Sequence, residues 1–433
     1  MKLLVSLGWI RRRSTGCSPK VSSQLLSRSH RSLCPQQLFE QTAHLVISIP
    51  LAGGPTTRIQ LCQRAEIHLT GPIIFTGKNQ ELSTQGYPDE DEKKAVVRIV
   101  GGRSGTAIQG DCRRCARVAI KNLIIDGNRA SLGRIREPGQ ADPSTSPLVL
   151  LGNNEGQVVS KCVIKDPRGW TAIQVREGDN LSCRNARISE NTIGPAGEEW
   201  IESVDGEDPD DAPGGRPLAS GLSLACQESV VTGNMFVDIT DASMVIYGSP
   251  GSLIDDNTIR AQHRNSMGGI LLSDYGPWEG NYTNTRVSSN TIEADEGTLI
   301  RVGIGLGASI LSDDTESVLF GGIVRENVLK GYGMGYGIAA AGLKDFVVVD
   351  NESKARHGGR LGDRCLVPLE EDDIAAKGMT EEQRDTGVIK NPRPAAFLRN
   401  SKLIEGGRWQ SDFIDSSFFY CEFGKQGFTR SSC

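Results

Sequence analysis

Four side chains in this 433-residue chain have the types and settings to do chemistry. Asp241 comes just before the apolar run MVIYG and Asp274 just after GGILLS, so each offers a carboxylate at a strand end. Arg176 closes the run TAIQVR, and His263 lies in the segment ahead of Asp274. Two carboxylates cleave a glycosidic bond when they flank it, about 5 Å apart for retention or about 6.5–9.5 Å for inversion. A calcium-dependent lyase needs several carboxylates around the ion and a base at the carbon that loses its proton. Asp241 and Asp274 form the best carboxylate pair, with Arg176 or His263 as base or clamp. Trp170, Tyr275 and Trp278 supply flat rings on which a sugar can stack. Each residue also has a plainer reading: the two Asp as turn formers, His263 as a loop residue, Trp170 as a core contact.

Whether these groups meet depends on what carries them. The stretch ISENTIG (188–194) recurs as VTGNMFV (231–237), IDDNTI (254–259), VSSNTI (287–292), VRENVL (324–329) and VVVDNES (347–353). A second series interleaves with it: TAIQV, SGLSL, SMVIY, GGILL, VGIGL and YGIAA, centred on Ile173, Leu222, Val245, Ile270, Ile304 and Ile338. Both series share a shortest step of 23–25 residues, lengthened by insertions. A locked repeat of this length means a solenoid or array. The strands are short with period-2 alternation, amphipathic helical runs are missing, and Leu is too sparse for a leucine-rich repeat. The spacing therefore predicts a parallel β-helix, its inward apolar residues stacked coil on coil about 4.8 Å apart. Asn at the bends tolerates left-handed angles and stacks into a ladder, so the recurrent Asn is scaffold. VRIVGG (97–102), VAIKNLIIDGN (118–128) and VVSKCVIKD (158–166) read as earlier coils, with Cys162 near the Asn position.

The sequence divides into an N-terminal targeting or poorly ordered segment (1–40), a cap with the first coil (41–95), and the β-helix (96–355). A charged mobile insertion (356–395) and a C-terminal β appendage (396–433) follow. The net charge is −5, which gives no electrostatic reason to expect nucleic acid or an anionic membrane as partner. No run of 18 apolar residues marks a membrane span. Gly is abundant at 51 residues and aromatics are scarce at 5%, which suits tight turns and short strands. The 11 Cys are scattered without zinc spacing, so no metal ligand set is assigned, and the odd number leaves at least one thiol outside any intrachain pair. The start MKLLVSLGWIRRR suits a secretion signal only in part; its lack of acids over 1–39 also fits a mitochondrial transit peptide or a misplaced start site. The acidic loop 198–211 offers carboxylates to calcium, without EF-hand spacing. GIGLGAS (303–309) and GYGMGYG (331–337) lack the Lys-Ser/Thr of a phosphate loop.

The stretches at 60–88, 166–197 and 247–259 resemble fungal secreted right-handed parallel β-helix proteins of the pectin-lyase-like superfamily, over roughly 55–350. That resemblance implies an all-β solenoid, secretion, and a polysaccharide bound along an outer groove by a monomer. It implies lyase or hydrolase chemistry less strongly, since the superfamily also holds proteins with no established chemistry. In this family an Asp-Gly precedes the repeated strands. Here those places read Ala219-Ser220-Gly221 and Ala242-Ser243-Met244.

Counting outward by alternation from the anchors gives Gln174, Ser223, Ile246, Leu271, Gly305 and Ala339, then Arg176, Ala225, Gly248, Ser273, Gly307 and Ala341. Arg176 is the one charge on that face. Two functions remain: cleavage of a cell-wall polysaccharide, requiring carboxylates clustered on the groove, and carbohydrate binding without cleavage, requiring a groove of Ser, Gly and aromatics.

Overall fold

The structure, a computed structural model, describes residues 30–32, 49–50, 54–101, 104–135, 146–206, 212–274, 276–310, 316–358, 365–366, 388–389 and 394–416. Most of the expected targeting segment and most of the insertion at 356–395 lie outside the described residues.

The chain winds as a right-handed parallel β-helix, the hand that parallel crossovers adopt. Each coil contributes one strand to each of three long sheets of 12, 10 and 12 strands. The coil Val230–Thr232, Met235–Val237, Ala242–Tyr247 shows the order: first sheet, second sheet, third sheet. The next coil repeats it as Leu253–Asp255, Thr258–Ala261 and Ser266–Ser273. Ile188, Val231, Ile254, Val287 and Val324 stack in register along the first sheet, all fully buried. Phe236, Ile259 and Ile292 do so along the second. Burying one such side chain stabilises the fold by about 1.5–3 kcal/mol.

The recurrent Asn is a ladder, but its backbone is not the left-handed part of the bend. That conformation falls on the residue before it: Glu190, Gly233, Asp256, Ser289, Glu326 and Asp350 all have positive φ. The left-handed residue turns the chain from the first sheet to the second, and the Asn that follows points inward. Asn191 Nδ2 donates to Asn234 Oδ1 at 2.9 Å, Asn234 to Asn257 at 2.9 Å, and Asn257 to Asn290 at 3.0 Å. Asn290 donates to Asn327 and Asn327 to Asn351, both at 2.9 Å, and Asn351 ends the series on Gln410 Oε1 at 3.1 Å. Each Oδ1 also accepts the backbone N–H of the preceding ladder residue, as in Asn234 N to Asn257 Oδ1 at 3.1 Å. At the other end Cys162 occupies the ladder position and its backbone N–H donates to Asn191 Oδ1 at 2.9 Å.

The coils extend past the boundaries set by the repeat. Arg58–Leu61, Glu66–Leu69 and Ile73–Ile74 already belong to the three sheets, ahead of residue 96. Phe397–Arg399 and Ile414–Asp415 join the third sheet and Arg408–Trp409 the first. The expected appendage is thus, over its described part, further winding of the same helix.

One anchor needs correction. Leu222 pairs with Met244 and Met244 with Ile270, so Met244, not Val245, points inward in its coil. Two consecutive residues face the core in these strands: a small one, then the anchor. A Cβ on Gly221 would meet Phe236, and one on Gly269 would meet Ile292, both core side chains. Ser243 is the small residue of its coil, so the outward pair there is Val245 and Tyr247, in place of Ile246 and Gly248.

Candidate functional site

The outer face of the third sheet carries a groove of about 240 Å³, lined in part by Trp170, Arg216, Ser220, Asp241, Tyr247 and Leu271. Its floor comes from the outward column Val245, Leu271 and Gly305, in continuous register. One wall is the short turn Ala308–Ile310. A Cβ on Gly305 would meet both Leu271 and Ile310, so glycine there lets the wall lie down on the floor.

Asp241 sits at the entry edge of its strand. Its Oδ2 accepts from Ser220 Oγ at 2.8 Å and from Arg216 Nη2 at 3.1 Å. Its backbone carbonyl accepts from Met267 N at 3.0 Å and Ser266 Oγ at 3.0 Å, so the neighbouring coil fixes the backbone that carries the carboxylate. Trp170, half-buried, lies at the same edge two coils away, since Thr171 pairs with Ser220. Tyr247, also half-buried, lies at the opposite edge of the groove.

Arg216 arrives from the long acidic loop, and two arginines near the short helix Arg129–Leu132 fix that loop. Arg129, only 4% exposed, donates to Glu198 Oε1 at 2.7 Å, Pro217 O at 2.7 Å and Arg216 O at 3.0 Å. Arg134 donates to Glu198 Oε2 at 2.8 Å and pairs with Asp205. Burial alone would raise the Glu198 carboxyl; Arg129 and Arg134 outweigh it and hold it below its ordinary value. Glu199 accepts from Asn265 N at 3.0 Å. Glu198, Glu199 and Asp205 of this loop are therefore taken by protein partners, while Asp208, Asp210 and Asp211 lie outside the described residues. Among the described residues no group of three or more His, Cys, Asp or Glu gathers to hold a metal, calcium included.

The other expected residues do not converge on Asp241. Asp274 follows the far end of the strand beside it, seven residues along in register, which places the two carboxylates about 20 Å apart. Asp274 Oδ1 instead accepts the Gly280 N–H at 2.7 Å and shapes the turn, the plainer reading of that residue. Arg176 ends its strand at the same far edge, half-exposed, with Nη1 3.9 Å from Asp111 Oδ2. His263 is 82% exposed, does not line the groove, and has Nδ1 3.0 Å from Asp238 Oδ2. Trp278 is 6% exposed; its Nε1 donates to Ala225 O at 2.8 Å and its ring packs under Gly248. It is a plug at the corner and not a stacking surface. Tyr275 lies outside the described residues. Arg168 donates from Nε to Gly133 O at 3.0 Å.

The structure thus joins Trp170 and Asp241 to three residues the sequence did not single out: Arg216, Ser220 and Tyr247. Tyr247 is found once the anchor is moved from Val245 to Met244. Arg216 has no periodic signal, because it comes from an insertion.

No family profile matches the sequence, and no curated protein matches it. Among solved structures, the chain is similar to the Dettilon tailspike protein, with TM-score 0.41 and 13% identity over 72% of this chain and 60% of that one. It is similar to the DFA-IIIase of Arthrobacter chlorophenolicus A6, with TM-score 0.41 and 13% identity over 82% and 83% of the two chains. The A-module of the mannuronan C-5 epimerase of Azotobacter vinelandii gives TM-score 0.36 and 12% identity over 71% and 88%. The chain spans only 60% of the tailspike's length. These neighbours are parallel β-helix proteins.

Proposed function

We propose that this chain is a carbohydrate-binding β-helix protein whose ligand lies in the groove on the third sheet, and that the groove binds without cleaving. The observation that carries this reading is the groove's chemistry. Among the described residues it offers one carboxylate, Asp241, already engaged by Arg216 and Ser220, together with two half-buried aromatic rings and a floor of Gly and aliphatic side chains. Hydrolysis by a carboxylate pair needs a second acid within about 10 Å, and Asp274 is about twice that distance away. Rings at the two edges, with hydrogen-bonding groups between them, suit a sugar chain that stacks at its ends and bonds through hydroxyls. The groove spans roughly 20 Å from the Asp241 edge to the Tyr247 edge, room for an oligosaccharide segment of a longer polymer. We place the protein in an oxidising extracellular setting, supported by the disulfides Cys112–Cys115 and Cys183–Cys226.

The test is a polysaccharide panel, scored for retention by pull-down and for new reducing or unsaturated ends, with calcium and with chelator. The reading expects retention by at least one polysaccharide, no new ends, and retention weakened about tenfold or more by Trp170→Ala. New ends that disappear in Asp241→Asn would overturn the non-catalytic reading in favour of cleavage. Retention unaffected by Trp170→Ala would place the ligand elsewhere.

A further inference from the structure

A second cavity stands apart from the groove. It lies at the corner between the third and first sheets in the early coils, has a volume of about 450 Å³, and is lined by Pro55, Thr76, Lys78, Arg113 and Arg114 among others. Three of its lining side chains are cations and none is an acid. Arg113 pairs with Asp179 at 2.9 Å, an exposed contact. Lys78 and Arg114, both exposed, have no acidic partner among the described residues. On a chain of net charge −5, a cavity with two uncompensated cations is out of balance with its surroundings.

The turn that carries two of the cations is also held in place. Cys112 and Cys115 are joined by a disulfide, so Arg113 and Arg114 ride on a loop closed over four residues. The same turn is tied down by Gln157, whose Nε2 donates to Gly110 O at 2.7 Å and Cys115 O at 3.0 Å. Holding the donors in position beforehand reduces the ordering cost of binding.

We infer that this cavity is a binding site for a phosphomonoester. A phosphate monoester carries a charge of about −1.5 to −2 near neutral pH, which matches the two free cations, whereas a carboxylate would leave one unmatched. The guanidinium of Arg114 presents donors suited to tetrahedral oxygens, and the Lys78 ammonium adds a point charge. A volume of about 450 Å³ falls in the range of small-molecule sites and exceeds what a bare oxyanion fills, so the ester's organic part also has room. The site is separate from the groove, and its ligand does not depend on what the groove binds.

Calorimetric titration of the full chain with a hexose monophosphate, inorganic phosphate and the uncharged hexose tests this. The hexose monophosphate binds, the uncharged hexose does not, and affinity falls as salt rises. Lys78→Ala together with Arg114→Ala weakens binding about 100-fold, about tenfold for each charge-assisted contact. Both residues are exposed, and circular dichroism of the double variant verifies that it folds. Inorganic phosphate binding as tightly as the ester, with both lost in the double variant, overturns the assignment to an ester and leaves free phosphate as the occupant of the same cations. No binding of the hexose monophosphate to the wild type, or equal binding by the double variant, overturns the inference. Polysaccharide retention unchanged in the double variant confirms that the two sites are separate.

Discussion

Replacing Asn257 by alanine removes one rung from the middle of the ladder, where the side chain is 1% exposed. Three kinds of contact go with it. The Asn234 backbone N–H loses its acceptor, Oδ1 of Asn257 at 3.1 Å. Asn234 Nδ2 loses the same oxygen but keeps Ile188 O at 2.8 Å. Asn257 Nδ2 no longer reaches Asn290 Oδ1 at 3.0 Å or Val231 O at 2.9 Å, although Asn290 Oδ1 keeps the backbone N–H of residue 257. The orphaned N–H costs about 1–3 kcal/mol, and each net hydrogen bond lost costs about 1 kcal/mol. With three such bonds lost besides the orphaned N–H, the expected loss is about 4–6 kcal/mol, large against an ordinary surface substitution. Asn257→Asp gives a sharper test. It keeps an oxygen for Asn234 but sets a second oxygen against Asn290 Oδ1 and Val231 O. Burial and those facing acceptors raise its folded pKa above the unfolded value of about 3.9. Its stability relative to the wild type is then best below that value and falls as pH rises through the folded pKa. Urea denaturation of both variants, reading midpoint and slope together, measures this, since a repeat protein can lose cooperativity and change the slope. Asn257→Ala within about 0.5 kcal/mol of the wild type would refute the claim that the ladder holds the bends.

Three further outcomes are expected. Arg129→Met removes the clamp on Pro217 O and Arg216 O, so the 197–217 loop becomes cleavable by protease and polysaccharide retention falls, although Arg129 does not line the groove; its melting point falls as well, because buried carbonyls lose a charged donor, at a cost of about 1.5–3 kcal/mol. Burial alone would raise the Asp238 carboxyl, but the backbone N–H groups of His263, Gln262 and Arg264 and the His263 ring outweigh it and hold it below its ordinary value. A depressed folded pKa contributes stability that is complete above the unfolded value of about 3.9 and lost as pH falls through the folded one, so Asp238→Asn is weaker than the wild type at pH 7 and converges with it in strong acid, measured by thermal melts across pH. The Cys162 thiol, buried and pushed up to about 12 by desolvation, stays unmodified by a thiol reagent at neutral pH in the folded protein and reacts once urea unfolds it, followed by peptide mapping.

The fold was legible because stacking imposes a period. Asn191, Asn234 and Asn257 must lie above one another to bond, so the chain between them can vary only by whole insertions at the corners, and the shortest step survives as 23 residues. The groove was only half legible. Counting by twos from a strand centre assumes strict alternation, and these strands break it where Ser243 and Met244 both face the core. That hid Tyr247 and made Val245 look inward. The pairing of Asp241 with Asp274 failed for a different reason. Both flank neighbouring strands in sequence, but one stands before its strand and the other after, so the width of the sheet separates them. Arg216 could not have been found by period, since its place depends on Arg129 and Glu198, which are 69 residues apart in sequence.

The ladder also has a direction. Every Asn side chain gives one amide N–H to the Asn oxygen of the coil that comes later and the other to a carbonyl of the coil that comes earlier, while its Oδ1 accepts only from the earlier coil. The stack is a polar filament one molecule long, whose growing end always exposes donors and whose trailing end exposes an acceptor. Each coil presents a backbone N–H and a side-chain N–H that the oxygen of the following Asn satisfies, so a stack cut short ends in donors that only water can meet. Gln410 is the terminator: its Oε1 takes the last donors, Asn351 N at 2.9 Å and Asn351 Nδ2 at 3.1 Å. Its Nε2 turns back to Asn351 O at 3.1 Å and out to the exposed Asp412 at 2.7 Å, and the filament stops there with no donor left facing the core.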